Sequence, residues 1–201
     1  MSKLFCIMGK SASGKDTIFK RLIQDAELDL KTVVSYTTRP MRQGEHHGTE
    51  YYFVTENHLE ELRKAGKVIE CRDYHTVHGV WSYFTVDDGQ IDFESNRDSV
   101  IIGTLESFEQ IRNFFGKDHV VPIYIQVEDG VRLTRALERE KQQKEPKYAE
   151  LCRRFLADME DFSDEKLRAC DITHVYENRD MEECLEEIHK DILKFRRAEH
   201  S

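Results

Sequence analysis

Short runs of apolar residues alternate with stretches of helical periodicity along most of the chain. The runs at 4–8, 100–105 and 121–127 have the length and composition of buried strands. Apolar residues at helical spacing follow these strands: Ile18, Leu22 and Ile23, then Phe108, Ile111 and Phe115, then Leu133 and Leu137, then Leu151, Phe155, Met159 and Phe162, and finally Leu185, Ile188 and Ile192. This alternation predicts a three-layer α/β fold, in which helices cover both faces of a parallel sheet.

Two segments interrupt the alternation. Residues 33–92 contain mainly short strand-like pieces, which predict an inserted, substrate-binding subdomain of mixed β structure. Residues 138–154 are too polar for a core and suit a mobile lid, although the eight Lys and Arg against four Glu in residues 131–154 also fit a solvated, charged face. The expected organisation is one domain, 1–201, divided into the inserted subdomain, the lid and a core formed by 1–32, 93–137 and 155–201.

The composition limits the classes of protein to consider. Of the 201 residues 39% are hydrophobic, and the net charge is −9, so we expect an ordinary globular domain that does not bind nucleic acid. The five cysteines form no C-x-x-C pair, and no apolar run is long enough for a signal peptide or a membrane span. These features predict a cytoplasmic protein with reduced thiols and no membrane partner.

The first strand leads into a candidate phosphate-binding loop. Gly9, Gly14 and Lys15 have the spacing G-x-x-x-x-G-K, and an amphipathic helix follows. Glycines let backbone N–H groups curl around an anion, the helix N-terminus faces the same place, and the lysine adds a positive charge. The residues expected to hold the phosphates of a nucleotide are Gly9, Lys10, Ser11, Ala12, Ser13, Gly14, Lys15, Asp16 and Thr17.

One residue of the loop departs from the usual motif. The position after the lysine normally carries a Ser or Thr hydroxyl that binds Mg²⁺, and here it is Asp16. A carboxylate can bind the same ion directly or through water. Asp16 is therefore a candidate metal ligand, and Mg²⁺ is the expected cofactor.

A second constellation indicates the phosphate acceptor. Arg39 and Arg42 flank a proline in "SYTTRPMRQGEHHGTEYYFV" (35–54), and Tyr51 offers a phenol to the same anion. Farther along, Glu70 lies in the apolar setting "VIEC". This carboxylate could be a surface residue, or it could accept hydrogen bonds from the N1–H and N2 amine of guanine.

At this segment the sequence resembles the guanylate kinase family, and the resemblance extends over roughly residues 3–195. The family pattern S-x-T-T-R-x-x-R-x-G-E-x-x-G-x-x-Y-x-F-V is matched in register by Ser35, Thr37, Thr38, Arg39, Arg42, Gly44, Glu45, Gly48, Tyr51, Phe53 and Val54. So many matches at fixed spacings do not arise by chance. The resemblance implies a phosphate-loop kinase that transfers phosphate from ATP, with Mg²⁺, to GMP.

The resemblance also implies roles for individual residues. Glu70 and Ser35 would read guanine, Tyr83 would touch the GMP phosphate, and Thr85 would touch the base. Arg139 and Arg154 of the lid would neutralise the transferring phosphate. Arg135 and Asn178 would contact adenine. The catalytic set would thus be Lys15, Arg42, Arg139 and Arg154.

Two departures from the family keep alternatives open. The family's D-x-D after its third core strand corresponds here to Gly103 and Leu105, with Glu106 next to them, and the loop carries Asp16. Both departures resemble ribose 1,5-bisphosphate phosphokinase, although that relative lacks the full guanylate-binding segment. A non-catalytic guanylate-kinase-like module is a second alternative, but such modules have degraded loops, whereas Lys15 is intact. No feature of the sequence indicates an oligomeric state.

Overall fold

A five-stranded parallel sheet lies at the centre of the structure, a computed structural model that describes residues 2–76 and 79–197. In chain order the elements are β1 (Leu4–Met8), α1 (Lys15–Ile23), β2 (Lys31–Thr32), β3 (Tyr36–Thr37), β4 (Tyr52–Phe53), α2 (Glu56–Lys64), β5 (Val68–Thr76), β6 (Gly79–Val86), β7 (Ser99–Ile102), α3 (Leu105–Phe115), β8 (Val120–Gln126), α4 (Asp129–Lys141), α5 (Tyr148–Asp161), α6 (Asp164–Ala169), β9 (Tyr176–Glu177) and α7 (Met181–Arg197). The central strands run in the order β2-β7-β1-β8-β9.

Two apolar clusters cover the two faces of this sheet. Alternate residues of β1 point to opposite faces, so Leu4 and Cys6 pack against α3, while Phe5 and Ile7 pack against α1 and α7. Helices therefore lie on both sides, and the predicted three-layer α/β fold is confirmed.

The second predicted strand is shorter than expected. Ile102 ends β7, and the backbone then turns because Thr104 caps α3: its Oγ1 accepts the Ser107 N–H (3.2 Å), and Ser107 Oγ accepts the Thr104 N–H (2.9 Å). The prediction of a strand through residue 105 was therefore wrong at its end, since Leu105 begins the helix.

The prediction for α4 was right about its helical character and wrong about its buried face. Leu133 and Leu137 lie in the helix, but their side chains are exposed. The buried residue is Arg132, whose charge is neutralised by Asp129 (2.6 Å) and Asp158 (3.5 Å). A pattern of apolar spacing does not reveal a buried ion pair of this kind.

Residues 33–92 form the mixed sheet that the sequence predicted, with strands in the order β4-β3-β6-β5. We call this four-stranded sheet the acceptor sheet. Two threonines of the matched segment hold it together: Thr37 Oγ1 donates to the Ser82 carbonyl (2.9 Å), and Thr38 Oγ1 accepts the Ser82 N–H (2.9 Å). These bonds fix β3 against β6, and the loop between β3 and β4 therefore starts from a rigid base.

The predicted lid consists mainly of helix. Its boundaries at 138 and 154 lie inside α4 and α5, which are joined by residues 142–147. In the described part of the chain, no helix combines the length and apolar character needed to cross a membrane.

Candidate active site

The phosphate loop has the backbone conformation that its glycines allow. Gly14 precedes α1 with φ 87°, and a Cβ there would come within 2.5 Å of Asn178 Nδ2. At the start of the loop, a Cβ on Gly9 would lie 2.5 Å from the Ile125 carbonyl oxygen. Both glycines are therefore required, one by its dihedral angle and by crowding, and the other by crowding alone.

Asn178 supports the loop from behind. Its side chain is buried, and its Nδ2 donates to the Ser13 carbonyl oxygen over 2.8 Å. Asn178 also lines a pocket with Arg135, between α4 and β9. The structure thus brings together the two residues predicted to contact adenine and gives Asn178 a structural contact that the sequence did not reveal.

The charged groups at the start of α1 lie where the loop opens. Lys15 Nζ is 3.6 Å from Asp16 Oδ2, and the Asp16 side chain is exposed. Among the described residues, Ser13 Oγ is a buried polar atom without a hydrogen-bond partner in the structure. An available hydroxyl, a lysine and a helix N-terminus together suit phosphate groups.

The donor set also suits Mg²⁺. This ion is commonly held in proteins by one or two carboxylates together with substrate phosphates, and Asp16 supplies an exposed carboxylate at the loop. The position is therefore compatible with the metal predicted from the sequence.

A buried charged cluster fastens the loop to the lid helices. Arg132 Nη1 donates to the Ser11 carbonyl (3.0 Å), while the Ser11 N–H donates to Asp158 Oδ2 (2.8 Å). Arg132 also stacks over the Phe155 ring, with its guanidinium carbon 4.7 Å from the ring centre. This cluster was not predicted from the sequence, although the three-residue spacing of Asp129 and Arg132 is typical of a helical ion pair.

The two predicted lid arginines lie close to the phosphate loop. Arg139 and Arg154 line one cavity with Ser11, between α4 and α5. Both side chains are exposed, and Arg154 Nη2 lies 4.0 Å from Glu140 Oε2. Their charges can therefore reach an anion bound at the loop.

The arginines predicted to hold the acceptor phosphate differ in availability. Arg39 is buried, and its Nη1 and Nη2 donate to the two oxygens of Glu45 (3.0 and 2.8 Å), while its Nε donates to Tyr83 (3.1 Å). Its Nη1 also donates to the Pro40 carbonyl (2.8 Å), so four of about five N–H groups are already used. Arg42, by contrast, is exposed.

Tyr51 packs edge-on against Tyr83 beside these arginines, with ring centres 5.5 Å apart. Burial raises the pKa of the Tyr51 phenol, so it stays protonated at neutral pH and can donate a hydrogen bond. The structure thus groups Arg39, Tyr51 and Tyr83 as predicted, with Glu45 as a partner of Arg39 that the sequence analysis did not assign.

One cleft joins the two halves of the site. Asp16 at the end of the phosphate loop, Ser35 next to β3 and Tyr51 all line it. The phosphate loop and the acceptor sheet therefore face the same space, which is the arrangement a transfer between two bound molecules requires.

Glu70 is buried at the far end of the acceptor sheet. Its Oε1 accepts from Thr85 Oγ1 (2.8 Å) and from Arg72 Nη2 (3.2 Å), and its Oε2 accepts from Arg72 Nε (2.9 Å). This burial excludes one of the two alternatives that the sequence left open, that Glu70 is a surface residue. Arg72 is a second residue that the sequence analysis missed, although residues two apart on a strand share a face.

The two positions that correspond to the family's D-x-D, Gly103 and Leu105, supply no acidic group. A Cβ on Gly103 would lie 2.5 Å from Ser107 Oγ and 3.2 Å from Cys6 Sγ. Cys6 is fully buried, and burial raises the pKa of its thiol to about 12. Leu105 belongs to the apolar core. Only the exposed Glu106 supplies a carboxylate among residues 103–106.

Comparisons with known proteins agree on one family. The family model described as guanylate kinase matches residues 1–194. The chain is 37% identical over 86 residues to a guanylate kinase of Rhodopirellula baltica, which covers 43% of this chain and 40% of that protein. It is 34% identical over 96 residues to a guanylate kinase of Aliivibrio fischeri, which covers 44% of this chain and 46% of that protein.

These matched stretches span less than half the length of the curated relatives. Among solved structures, a crystal structure of guanylate kinase from Anaplasma phagocytophilum is similar, with a TM-score of 0.66. It is 20% identical and covers 96% of this chain and 85% of that chain. At that identity the likeness shows a shared fold.

Proposed function

The chain belongs to the guanylate kinase family, and from that premise we propose that it transfers the γ-phosphate of ATP to GMP, giving ADP and GDP. The observation that carries the proposal is the shared cleft, in which Asp16 of the phosphate loop faces Ser35 and Tyr51 of the acceptor sheet. Two substrates bound on these opposing surfaces would meet through their phosphates.

On the ATP side, backbone N–H groups of the loop and Lys15 would bind the phosphates, and Arg135 and Asn178 would flank adenine. Their shared pocket beside the loop supports this assignment. Mg²⁺ held at Asp16 would neutralise phosphate charge when it is bound. Lys15 lies at the N-terminus of α1, where the helix dipole favours an anion.

On the acceptor side, the GMP phosphate would bind the exposed Arg42, the phenols of Tyr51 and Tyr83, and the remaining N–H of Arg39. Guanine would be read by Ser35, Glu70 and Thr85. Glu70 suits this role because it is sheltered and hydrogen-bonded, and a buried polar group that lacks its partner penalises the wrong ligand.

The lid would complete the site. Arg139 and Arg154 project from α4 and α5 toward the cavity beside Ser11, so closure would bring two positive charges to the transferring phosphate. Closure would also exclude water, which would otherwise compete with GMP for the γ-phosphate. We assign the core to 1–32, 93–137 and 155–201, the acceptor subdomain to 33–92 and the lid to 138–154.

The cell compartment that fits this function is the cytoplasm, where purine nucleotides are interconverted. The five cysteines support this placement, because all of them are free thiols and three of them are buried.

The test is release of ADP from MgATP in the presence of GMP, AMP, CMP, UMP or ribose 1,5-bisphosphate. We expect turnover with GMP and background release with the other four compounds. Lys15→Met serves as the inactive control. If only ribose 1,5-bisphosphate supports turnover, that compound and not GMP is the acceptor. Background release with every compound would refute the kinase assignment.

A further inference from the structure

We propose that Arg72 and Glu70 read the acceptor base together, as a donor and an acceptor, and that the acceptor class is the 6-oxopurine nucleoside monophosphates, GMP and IMP alike. This inference rests on the proposed function and specifies the substrate of the same site. The central residue is Arg72 of β5, to which the sequence assigned no function.

The two side chains form a buried, fork-shaped pair. Arg72 Nε and Nη2 donate to the two oxygens of Glu70, over 2.9 and 3.2 Å, and the exposed fractions of the side chains are 11% and 0%. Burial alone would lower the pKa of Arg72, but the Glu70 carboxylate reverses this effect, and the net pKa is raised. Arg72 is therefore charged at neutral pH, and its two parallel N–H···O bonds have the bidentate geometry that suits a guanidinium facing a carboxylate.

Counting hydrogen bonds shows what this pair leaves for a ligand. A carboxylate offers about four acceptor sites, and Arg72 and Thr85 already use three of those on Glu70. One site remains, whereas guanine presents donors at both N1 and N2. While Arg72 is in place, Glu70 can accept a hydrogen bond from only one of these two guanine donors, and the other donor makes no hydrogen bond to this carboxylate.

The surroundings explain why the arginine pairs with Glu70. At Gly103 a side chain would meet Ser107 and Cys6, and Leu105 lies in the core, so neither position supplies a carboxylate that could draw Arg72 away. Arg72 Nη1 instead donates to the hydroxyl of Thr104 over 3.3 Å. The base end of the site thus contains a donor–acceptor pair whose charges offset each other, with the exposed Glu106 as the one carboxylate of residues 103–106.

Such a pair complements the lactam edge of a 6-oxopurine. In this edge the O6 acceptor lies next to the N1–H donor, so O6 can face Arg72 while N1–H faces Glu70. Arginine is a common donor to guanine O6 in other recognition sites. Guanine and hypoxanthine share this edge and differ at N2, which the pair leaves unread. Adenine in the same pose would set its amine against the guanidinium and its unprotonated N1 against the carboxylate.

The primary test compares GMP, IMP and AMP with the unmodified protein, by kcat/KM for ADP release and by calorimetric affinity. If N2 is unread, GMP and IMP should agree within about threefold, and AMP should be weaker than both by about 10-fold or more. A hydrogen bond from N2 to a charged group would instead favour GMP by roughly 10- to 150-fold. A GMP preference above about 10-fold overturns the inference.

Two variants address Arg72 itself. Arg72→Met frees acceptor sites on Glu70, so the GMP-to-IMP ratio should rise to about 10 or more, even though both ligands lose the O6 contact. Arg72→Lys keeps the charge without the fork and should give an intermediate ratio. The matched control is Arg63→Met, because Arg63 contacts β5 through Cys71 over 3.2 Å and lies outside the site.

The outcomes separate this inference from the proposed function. Thermal unfolding measurements show whether each variant is folded. If Arg72→Met does not fold, the GMP-to-IMP ratios of Arg72→Lys and of the unmodified protein test the inference. An unchanged ratio in folded Arg72→Met or Arg72→Lys would show that Arg72 serves structure alone. Turnover of GMP with rejection of IMP would overturn the inference and leave the proposed function standing. Failure of both nucleotides to bind or react would overturn both.

Discussion

The phosphate loop and the acceptor sheet differ in how they present polar groups to the cleft. The loop relies on backbone geometry: Gly14 adopts φ 87° at the start of α1, and Asn178 holds the Ser13 carbonyl behind it. The acceptor sheet relies on charged side chains that are already paired with each other, Arg39 with Glu45 over 2.8 Å and Arg72 with Glu70 over 2.9 Å.

This difference determines what a sequence reveals about each region. A loop whose backbone groups bind a ligand requires glycines at a short, fixed spacing, so the sequence motif identifies the residues of the loop. Side-chain recognition depends on which partners the fold brings together. Burying two charges costs much desolvation, and good pairing geometry offsets this cost, so loss of one partner leaves the other as a buried, unpaired charge. The following changes test each side of this comparison.

The largest effect is expected at the loop. Lys15→Met should lower kcat by about 10³-fold or more, because the lysine charge stabilises the transferring phosphate. GMP affinity, measured by calorimetry, should stay within about twofold. The control is Lys190→Met on α7, where the lysine is exposed and paired with Glu186. Near-normal turnover of Lys15→Met would show that the loop does not serve catalysis.

The next effect is expected at the base end of the acceptor sheet. Glu70→Gln keeps the size of the side chain but removes the charge that pairs with Arg72 and turns one oxygen into a donor. GMP kcat/KM should fall roughly 10- to 150-fold, the range for hydrogen bonds to charged groups. AMP turnover should stay negligible or rise slightly.

Glu60→Gln is the matched control for this change, since Glu60 lies on α2 and pairs with Arg63 over 2.7 Å. If Glu70→Gln used GMP as well as the parent protein does, Glu70 would not read the base. Recognition would then rest on the phosphate-binding arginines, which do not distinguish one monophosphate from another.

A smaller effect is expected for the metal ligand. Asp16→Asn should raise the Mg²⁺ concentration for half-maximal activity roughly 3- to 10-fold, which corresponds to about 1 kcal/mol of lost binding. Titration of Mg²⁺ at saturating ATP and GMP measures this shift. An unchanged Mg²⁺ requirement would give Asp16 a structural role at the helix N-terminus, where a carboxylate is favoured in any case.

The smallest effect concerns the pH dependence of stability. Hydrogen bonding to Arg39 lowers the pKa of Glu45 below its ordinary value of 4.5. The pair therefore contributes its full stabilisation above pH 4.5, and the contribution is lost as the pH falls through the lowered pKa.

Glu45→Gln lacks this contribution at every pH. Its melting temperature should be lower at pH 7, and it should fall less than that of the parent between pH 7 and pH 3.5. A difference of about 2–4 °C is expected, as for about 1 kcal/mol in a domain of this size. Parallel curves for the two proteins would mean that the ion pair does not stabilise the fold.

Much of the fold was predictable because local pattern decides it. The apolar run at 4–8 forms β1 as predicted, and Leu185, Ile188 and Ile192 form the buried face of α7. The end of β7 was mispredicted, because the capping hydroxyl of Thr104 stops an apolar run that otherwise continues.

A motif identifies candidate site residues from the sequence alone, as for Lys15 and Arg39, and the roles of these residues stay predictions. Arg72, which pairs with Glu70, and Arg132, which contacts the phosphate loop, were not predicted, because each is a single charged residue whose burial depends on tertiary contacts. Arg132 is the clearer case, because its buried contacts come from α4, α5 and the phosphate loop at once. No local window of the sequence contains all three.

The most direct test of the account is to follow the transferred phosphate by ³¹P NMR in a mixture of the protein, MgATP and GMP. The α- and β-phosphate signals of GDP are expected to grow in step with those of ADP, at a ratio of about one to one. Little inorganic phosphate should form, because closure of the cleft would exclude water. Growth of inorganic phosphate with ADP while GMP stays unchanged would contradict the account.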